Sequence, residues 1–198
     1  MKNKGIEKKY IELLRKPVKT NDEIIELENL RLAFEKSLEE DERSLIDDLS
    51  KIGVNVKSSW DLVNSSKNYK KAIPVLIEHL SEPYHLKNKE GIARALTIKE
   101  AKGIACKAII EEYNKTPKNE HDLRWVLGNT MSVIMSDDYL DDVISIVQDR
   151  SNGESRQMFI VALSKVKSVK TKETLNHLVN EKSKVIREEA KKALKKIG

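Results

Sequence analysis

A basic residue recurs at Lys89, Arg124, Arg156 and Arg187, in steps of 35, 32 and 31 residues. Six and seven positions after each one lie Ala95-Leu96, Thr130-Met131, Ala162-Leu163 and Ala193-Leu194, a small residue followed by an apolar one. A step of this size accommodates two helices and a turn, and so small a unit buries its apolar side only by stacking on the next. The recurrence predicts second helices over 89–98, 124–134, 156–166 and 185–198. Apolar residues at helical spacing, such as Ala72, Ile73, Leu76, Ile77 and Leu80, predict first helices over 69–80, 99–114, 137–149 and 171–179. Asp137 is a candidate cap for the third of these, and Thr171 with Thr174 marks the start of the fourth. Pro83, Pro117 and Gly153 punctuate the pattern, and no β-type alternation persists.

The last segment, 185–198, resembles the second helix of a HEAT repeat, where a basic residue precedes Ala-Leu and the helix closes near a glycine. The other three anchored segments fall on the same template, so the resemblance covers 68–198. It implies an all-α fold, a right-handed α-α superhelix (HEAT-like solenoid) of four helix pairs whose second helices line the concave surface. It also implies that the basic anchors form a structural ladder with acids of neighbouring repeats. The positions seven residues before the anchors are Glu82, Pro117, Asp149 and Asn180. Residues 1–67 depart from the template. Ile6, Tyr10, Ile11, Leu13 and Leu14 form a short amphipathic helix ended by Pro17. Asn21 or Asp22 then caps a long run through Ile24, Leu30 and Leu38, and a further helix through Leu45 and Leu49 stops at Gly53. Ser58 caps a brief helix containing Trp60, which is expected in the core. This region reads as an atypical helical cap on the first repeat.

Composition excludes several kinds of function. With 39% hydrophobic and 35% charged residues the chain is too apolar for disorder, and at 5% aromatic content it has little material for stacking single-stranded nucleic acid. The lone Cys106 permits neither an intramolecular disulfide nor a cysteine-based zinc cluster, and its small neighbours mark it as a buried, inert thiol. His79, His85, His121 and His177 are scattered, and no HExxH motif, paired carboxylates or glycine-rich phosphate loop appears. No catalytic residue, metal ligand, cofactor or small-molecule substrate is therefore expected, and the chain reads as a non-enzyme. The N-terminus is basic without an apolar run, and no stretch approaches eighteen apolar residues. A cytoplasmic protein without membrane attachment is expected.

Turning the buried stripe inward leaves Glu90, Arg94 and Thr97 outward on the first of the second helices. His121, Trp125, Asn129 and Ser132 follow on the next, then Gln157, Val161 and Ser164. The mixture of Arg94, Trp125, Asn129 and Gln157 suits a protein partner, although the periodicity leaves open whether Trp125 is exposed or buried. The formal net charge is +5, with acids concentrated over 22–51 and bases from 165 onward. Lys184, Lys191, Lys192 and Lys195 on the last helix are candidate anion contacts, which gives the alternative of nucleic-acid binding through the basic C-terminal repeat. Some HEAT-like solenoids are DNA glycosylases, and Trp125 with Arg156 is the pair that such a reading would use. It lacks an outward acid and a second aromatic.

Overall fold

The computed structural model describes residues 2–63, 65 and 67–198, with side chains from residue 5 onward. Among the described residues eleven α-helices follow one another: α1 (Lys2–Arg15), α2 (Asn21–Asp41), α3 (Arg43–Lys51), α4 (Ile73–Leu80), α5 (Leu86–Ala95), α6 (Cys106–Lys115), α7 (His121–Ile134), α8 (Leu140–Gln148), α9 (Gln157–Leu163), α10 (Val169–Leu178) and α11 (Lys184–Ile197). Short 3-10 turns at Ser59–Leu62, Lys70–Ala72, Lys99–Ala101, Asp137–Tyr139 and Arg150–Arg156 complete the helical structure, and no strand occurs among the described residues.

Local chemistry sets the starts. Thr20, rather than Asn21 or Asp22, caps α2. Its hydroxyl accepts the Glu23 N–H while Glu23 accepts the Thr20 N–H, a reciprocal arrangement that satisfies two otherwise orphaned donors. Ser58 and Asp61 repeat the arrangement on the turn that carries Trp60. Ser168 and Ser183 cap α10 and α11. Thr171 lies inside α10 and is fully buried, and Asp137 makes no capping bond. The run expected over 99–114 begins as a 3-10 turn and breaks at Gly103, whose positive φ of 75° suits a residue without Cβ. The Gly103 N–H donates to Ile134 O at 3.0 Å, which fastens that turn to the end of α7.

The helices α4/α5, α6/α7, α8/α9 and α10/α11 pack as antiparallel pairs in chain order. Their second members form a row in which α5 packs on α7, α7 on α9 and α9 on α11, while α4 touches α6 and α8 touches α10. One continuous core follows the row, from Leu45, Leu49 and Leu76 through Ile92, Leu127 and Phe159 to Ile186 and Ala190. At the other end α3 packs on α4, and the turn Ser59–Leu62 lies on α5. Gly91 permits that approach, because a Cβ there would come within 2.4 Å of Ser59 Oγ and 2.9 Å of Trp60 Nε1. Trp60 consequently lies across α5 and stays 40% exposed, not in the core as its sequence context suggests. Ahead of it α1 packs on α2, with Ile24, Ile25 and Leu32 exposed, so the apolar face of α2 is broader than its covering.

Candidate interaction surface

The basic anchors build the frame of the site. Lys89, Arg124 and Arg156 extend from the start of a second helix back to the carbonyls that end their own first helix, where orphan acceptors and the negative end of the helix dipole favour a cation, while Arg187 bonds to carbonyls of the loop between α10 and α11. Lys89 Nζ donates to Leu80 O at 3.1 Å, Arg156 Nη1 to Val147 O at 2.7 Å, and Arg187 Nη1 to Glu181 O and Lys182 O at 2.8 and 2.7 Å. Arg124 Nη1 reaches both Tyr113 O and Thr116 O at 2.9 Å, with the guanidinium carbon 3.8 Å from the centre of the Tyr113 ring.

Three anchors also join their hairpin to the next. Lys89 pairs with Glu112 at 2.6 Å, Arg124 Nη2 donates to Asn152 Oδ1 at 2.7 Å, and Arg156 lies 3.7 Å from Glu181. The partners are therefore Glu112, Asn152 and Glu181, not the residues seven positions before each anchor. Of those, Asp149 caps the following turn through Ser151 and faces Lys118 at 3.8 Å. Bonding to Arg150, with the Arg156 charge nearby, holds the Glu181 carboxyl below its ordinary value. Lys89, Arg124 and Arg156 are all buried, so none is available to a ligand.

The outward face of the row carries the candidate contacts. Trp125 is 41% exposed on α7, which answers the question left open by periodicity. Arg94 is half-buried on α5, with its guanidinium carbon 5.8 Å from the centre of the Trp60 ring and its Nε buried without a hydrogen-bond partner. Asn129 is half-buried on the same helix as Trp125. Gln157 is half-buried and donates to Glu189 Oε2 at 3.1 Å, so it ties α9 to α11 as well as bordering the surface. Two residues expected outward are buried. Glu90 lies beside Lys87, and the Ser132 hydroxyl donates to Asn129 O. Trp60 is the surface residue that sequence reasoning misses; Gly91 on α5 is the signal for it, a helix glycine placed where another segment approaches closely.

On α11, Lys184, Lys191, Lys192 and Lys195 are exposed. Lys191 pairs with Glu188 at 2.9 Å and Lys192 with Glu189 at 3.6 Å, so half of that basic face is neutralised from within. Trp125 and Arg156 do not form an accessible pair, because Arg156 is only 2% exposed and directed into the α8 end.

A second cluster joins α3, α4 and the following turn. Asp48 Oδ2 lies 3.0 Å from His79 Nε2, His79 Nδ1 2.5 Å from the Tyr84 hydroxyl, and that hydroxyl 2.6 Å from Ser44 Oγ. Burial pushes the Tyr84 phenol up. Each member already bonds to another, and the relay locks α3 against the first hairpin. Cys106 is fully buried, bonded to Ile134 O at 3.2 Å, and burial pushes its thiol up, consistent with an inert packing role. Among the described residues no group of three or more His, Cys, Asp or Glu side chains is arranged to hold a metal ion. No helix of these residues is long and apolar enough to cross a membrane.

Compared with protein-family models, with curated proteins and with solved structures, the chain matches none.

Proposed function

We propose that the chain is a HEAT-like solenoid, four helix pairs over 68–198 with a helical cap over 1–67, and that it works as a cytoplasmic interaction module rather than an enzyme. Its partner is a protein held on the concave row of second helices. The observation that carries this reading is the exposure of Trp60 and Trp125, 40% and 41%, on the turn that lies on α5 and on the neighbouring α7, with Arg94 of α5 against the Trp60 ring. Tryptophan and arginine are the residues whose burial contributes most at protein interfaces. They gain by being covered, and here they stand on a rigid support whose anchors are internally satisfied. Asn129 and Gln157 supply polar contacts at the border. The ladder of Lys89, Arg124, Arg156 and Arg187 then serves the support, which explains why so many basic residues contribute so little free charge to the face.

The test is a binding measurement on the intact chain. A partner captured from cells that contain this protein is purified, and its Kd is measured by calorimetry against the parent and Trp125→Ala/Arg94→Ala. A central tryptophan and arginine together are expected to weaken binding by at least about 30-fold, the effect of roughly 2 kcal/mol. An unchanged Kd in the doubly substituted chain removes this surface from the reading.

A further inference from the structure

A set of unneutralised charges lies elsewhere than on the outer face of α11. The C-terminal ends of the second helices meet along one edge of the row. Lys99 and Lys102 bracket the turn after α5, and that turn is fastened to the end of α7 by the Gly103 N–H and the Cys106 thiol, both donating to Ile134 O. Helix α7 packs on α9, and Lys165 follows the last turn of α9, its N–H donating to Ala162 O at 3.0 Å. Helix α9 packs on α11, whose last turn carries Lys196. All four lysines are exposed, and among the described residues none lies within ion-pair distance of a carboxylate, Glu100 between the first two included.

One lysine at each helix end would suffice to offset the negative end of a dipole. The α5 end carries two, and the four lysines share one field in which they repel one another. Burial first, and then the charges of Lys102, Lys196 and Lys99, push the Lys165 ammonium below its ordinary value. A structure that keeps mutually repelling ammonium groups unpaired gains when an anion covers them.

We propose that Lys99, Lys102, Lys165 and Lys196 form an electropositive edge that binds the phosphate backbone of duplex nucleic acid without reading its sequence. Packed helices lie about 8–10 Å apart, so a set of lysines carried from the α5 end to α11 extends over roughly 20–30 Å. A row of that length fits a linear polyanion better than a single phosphate. Ammonium groups act as point charges toward phosphate, without the planar fork that reads a guanine edge. The stretches 98–103, 163–167 and 194–198 contain no aromatic residue, so stacking of unpaired bases has no platform and a duplex is favoured over a single strand. The absence of an aromatic anchor in the same stretches disfavours an acidic protein.

Fluorescence anisotropy with a labelled 20-base-pair duplex, at 50, 100 and 200 mM salt, tests the proposal on the intact chain. Four phosphate contacts predict a slope of log affinity on log salt of about −3 to −4, an affinity loss on the order of 100-fold over this range, and equal values for two unrelated sequences. The Lys99→Gln/Lys102→Gln/Lys165→Gln/Lys196→Gln chain is expected to bind at least tenfold more weakly with a nearly flat slope. It also relieves repulsion, so its Tm should be unchanged or higher. The corresponding four-fold Lys→Arg chain should retain binding, and Lys191→Gln/Lys192→Gln should retain most of it. The proposal is overturned if the four-fold glutamine chain keeps the parent's affinity and slope, if a 20-nucleotide single strand binds more tightly than the duplex, or if poly-glutamate binds where the duplex does not.

Discussion

Arg124 is almost wholly buried, and it has no carboxylate within ion-pair distance among the described residues. Its charge is met instead by the carbonyls of Tyr113 and Thr116, the Asn152 amide oxygen, the Ser155 hydroxyl and the Tyr113 ring. A buried cation is tolerated only when its donors are matched in this way, since desolvation otherwise exceeds the Coulombic gain. Arg187 stands at the equivalent position, is half-buried, and bonds only to Glu181 O and Lys182 O. Removing Arg124 leaves several buried acceptors unpaired and a cavity, whereas water can replace Arg187. Arg124→Ala is expected to cost at least about 3 kcal/mol and Arg187→Ala about 1 kcal/mol in urea unfolding. Equal losses would show that the internal anchor is no better satisfied than the last one. The anchors were legible in the sequence because a basic residue near the start of the second helix of each pair has a common task, satisfying carbonyls at or just beyond the end of the helix before it. Their partners were not, because Glu112, Asn152 and Glu181 lie 23, 28 and 25 positions after their anchors, at offsets that depend on how each turn is built.

At the scale of elements, the helices fall where their periodicity puts them, and their ends differ: the expected 89–98 and 156–166 became α5 (Leu86–Ala95) and α9 (Gln157–Leu163), each three residues short at its C-terminal end. The expected 124–134 and 185–198 became α7 (His121–Ile134) and α11 (Lys184–Ile197), the two closest to their predicted ends. Three of the first helices begin in 3-10 turns at Lys70–Ala72, Lys99–Ala101 and Asp137–Tyr139, as α9 does at Arg150–Arg156, where apolar spacing alone does not separate one helical geometry from another. Trp60 was misplaced for a related reason. An apolar residue near a serine cap reads as core, and only the approach of its turn to Gly91 sets it outside. Alanine at Gly91 would gain about 0.5–1 kcal/mol in helix propensity. Its Cβ, however, would meet the fully buried Ser59 at 2.4 Å, and overpacking of that kind costs about 1–3 kcal/mol. Gly91→Ala is therefore expected to lower stability by about 1–2 kcal/mol and to shift Trp60 emission, read in a Trp125→Phe background so that Trp60 is the one indole left. Unchanged emission and stability would mean that the turn does not rest on α5 as described.

For the whole molecule, the order in which elements touch is the quantity that matters. A stack in which each hairpin meets chiefly its neighbours distributes its stability as nearest-neighbour interfaces, so substitutions two or more hairpins apart should add while those across one interface should not. Lys89 and Glu112 provide the close pair, 2.6 Å apart and both buried, and Lys89 and Arg187 the distant one. Lys89→Met or Glu112→Leu alone strands a buried charge, at a cost of about 3–5 kcal/mol, while the two together leave apolar groups in its place. The double substitution should then be more stable than either single one, a coupling well above 1 kcal/mol. Lys89→Met with Arg187→Ala should be additive within about 0.5 kcal/mol. Urea unfolding of these five variants separates a stack from a closed bundle, because a bundle brings first and last hairpins together and would couple the distant pair as strongly as the near one. The same measurement bears on binding: a row of second helices held by successive interfaces keeps its outward face and its edge open along its length, the face for the exposed tryptophans and the edge for the lysines.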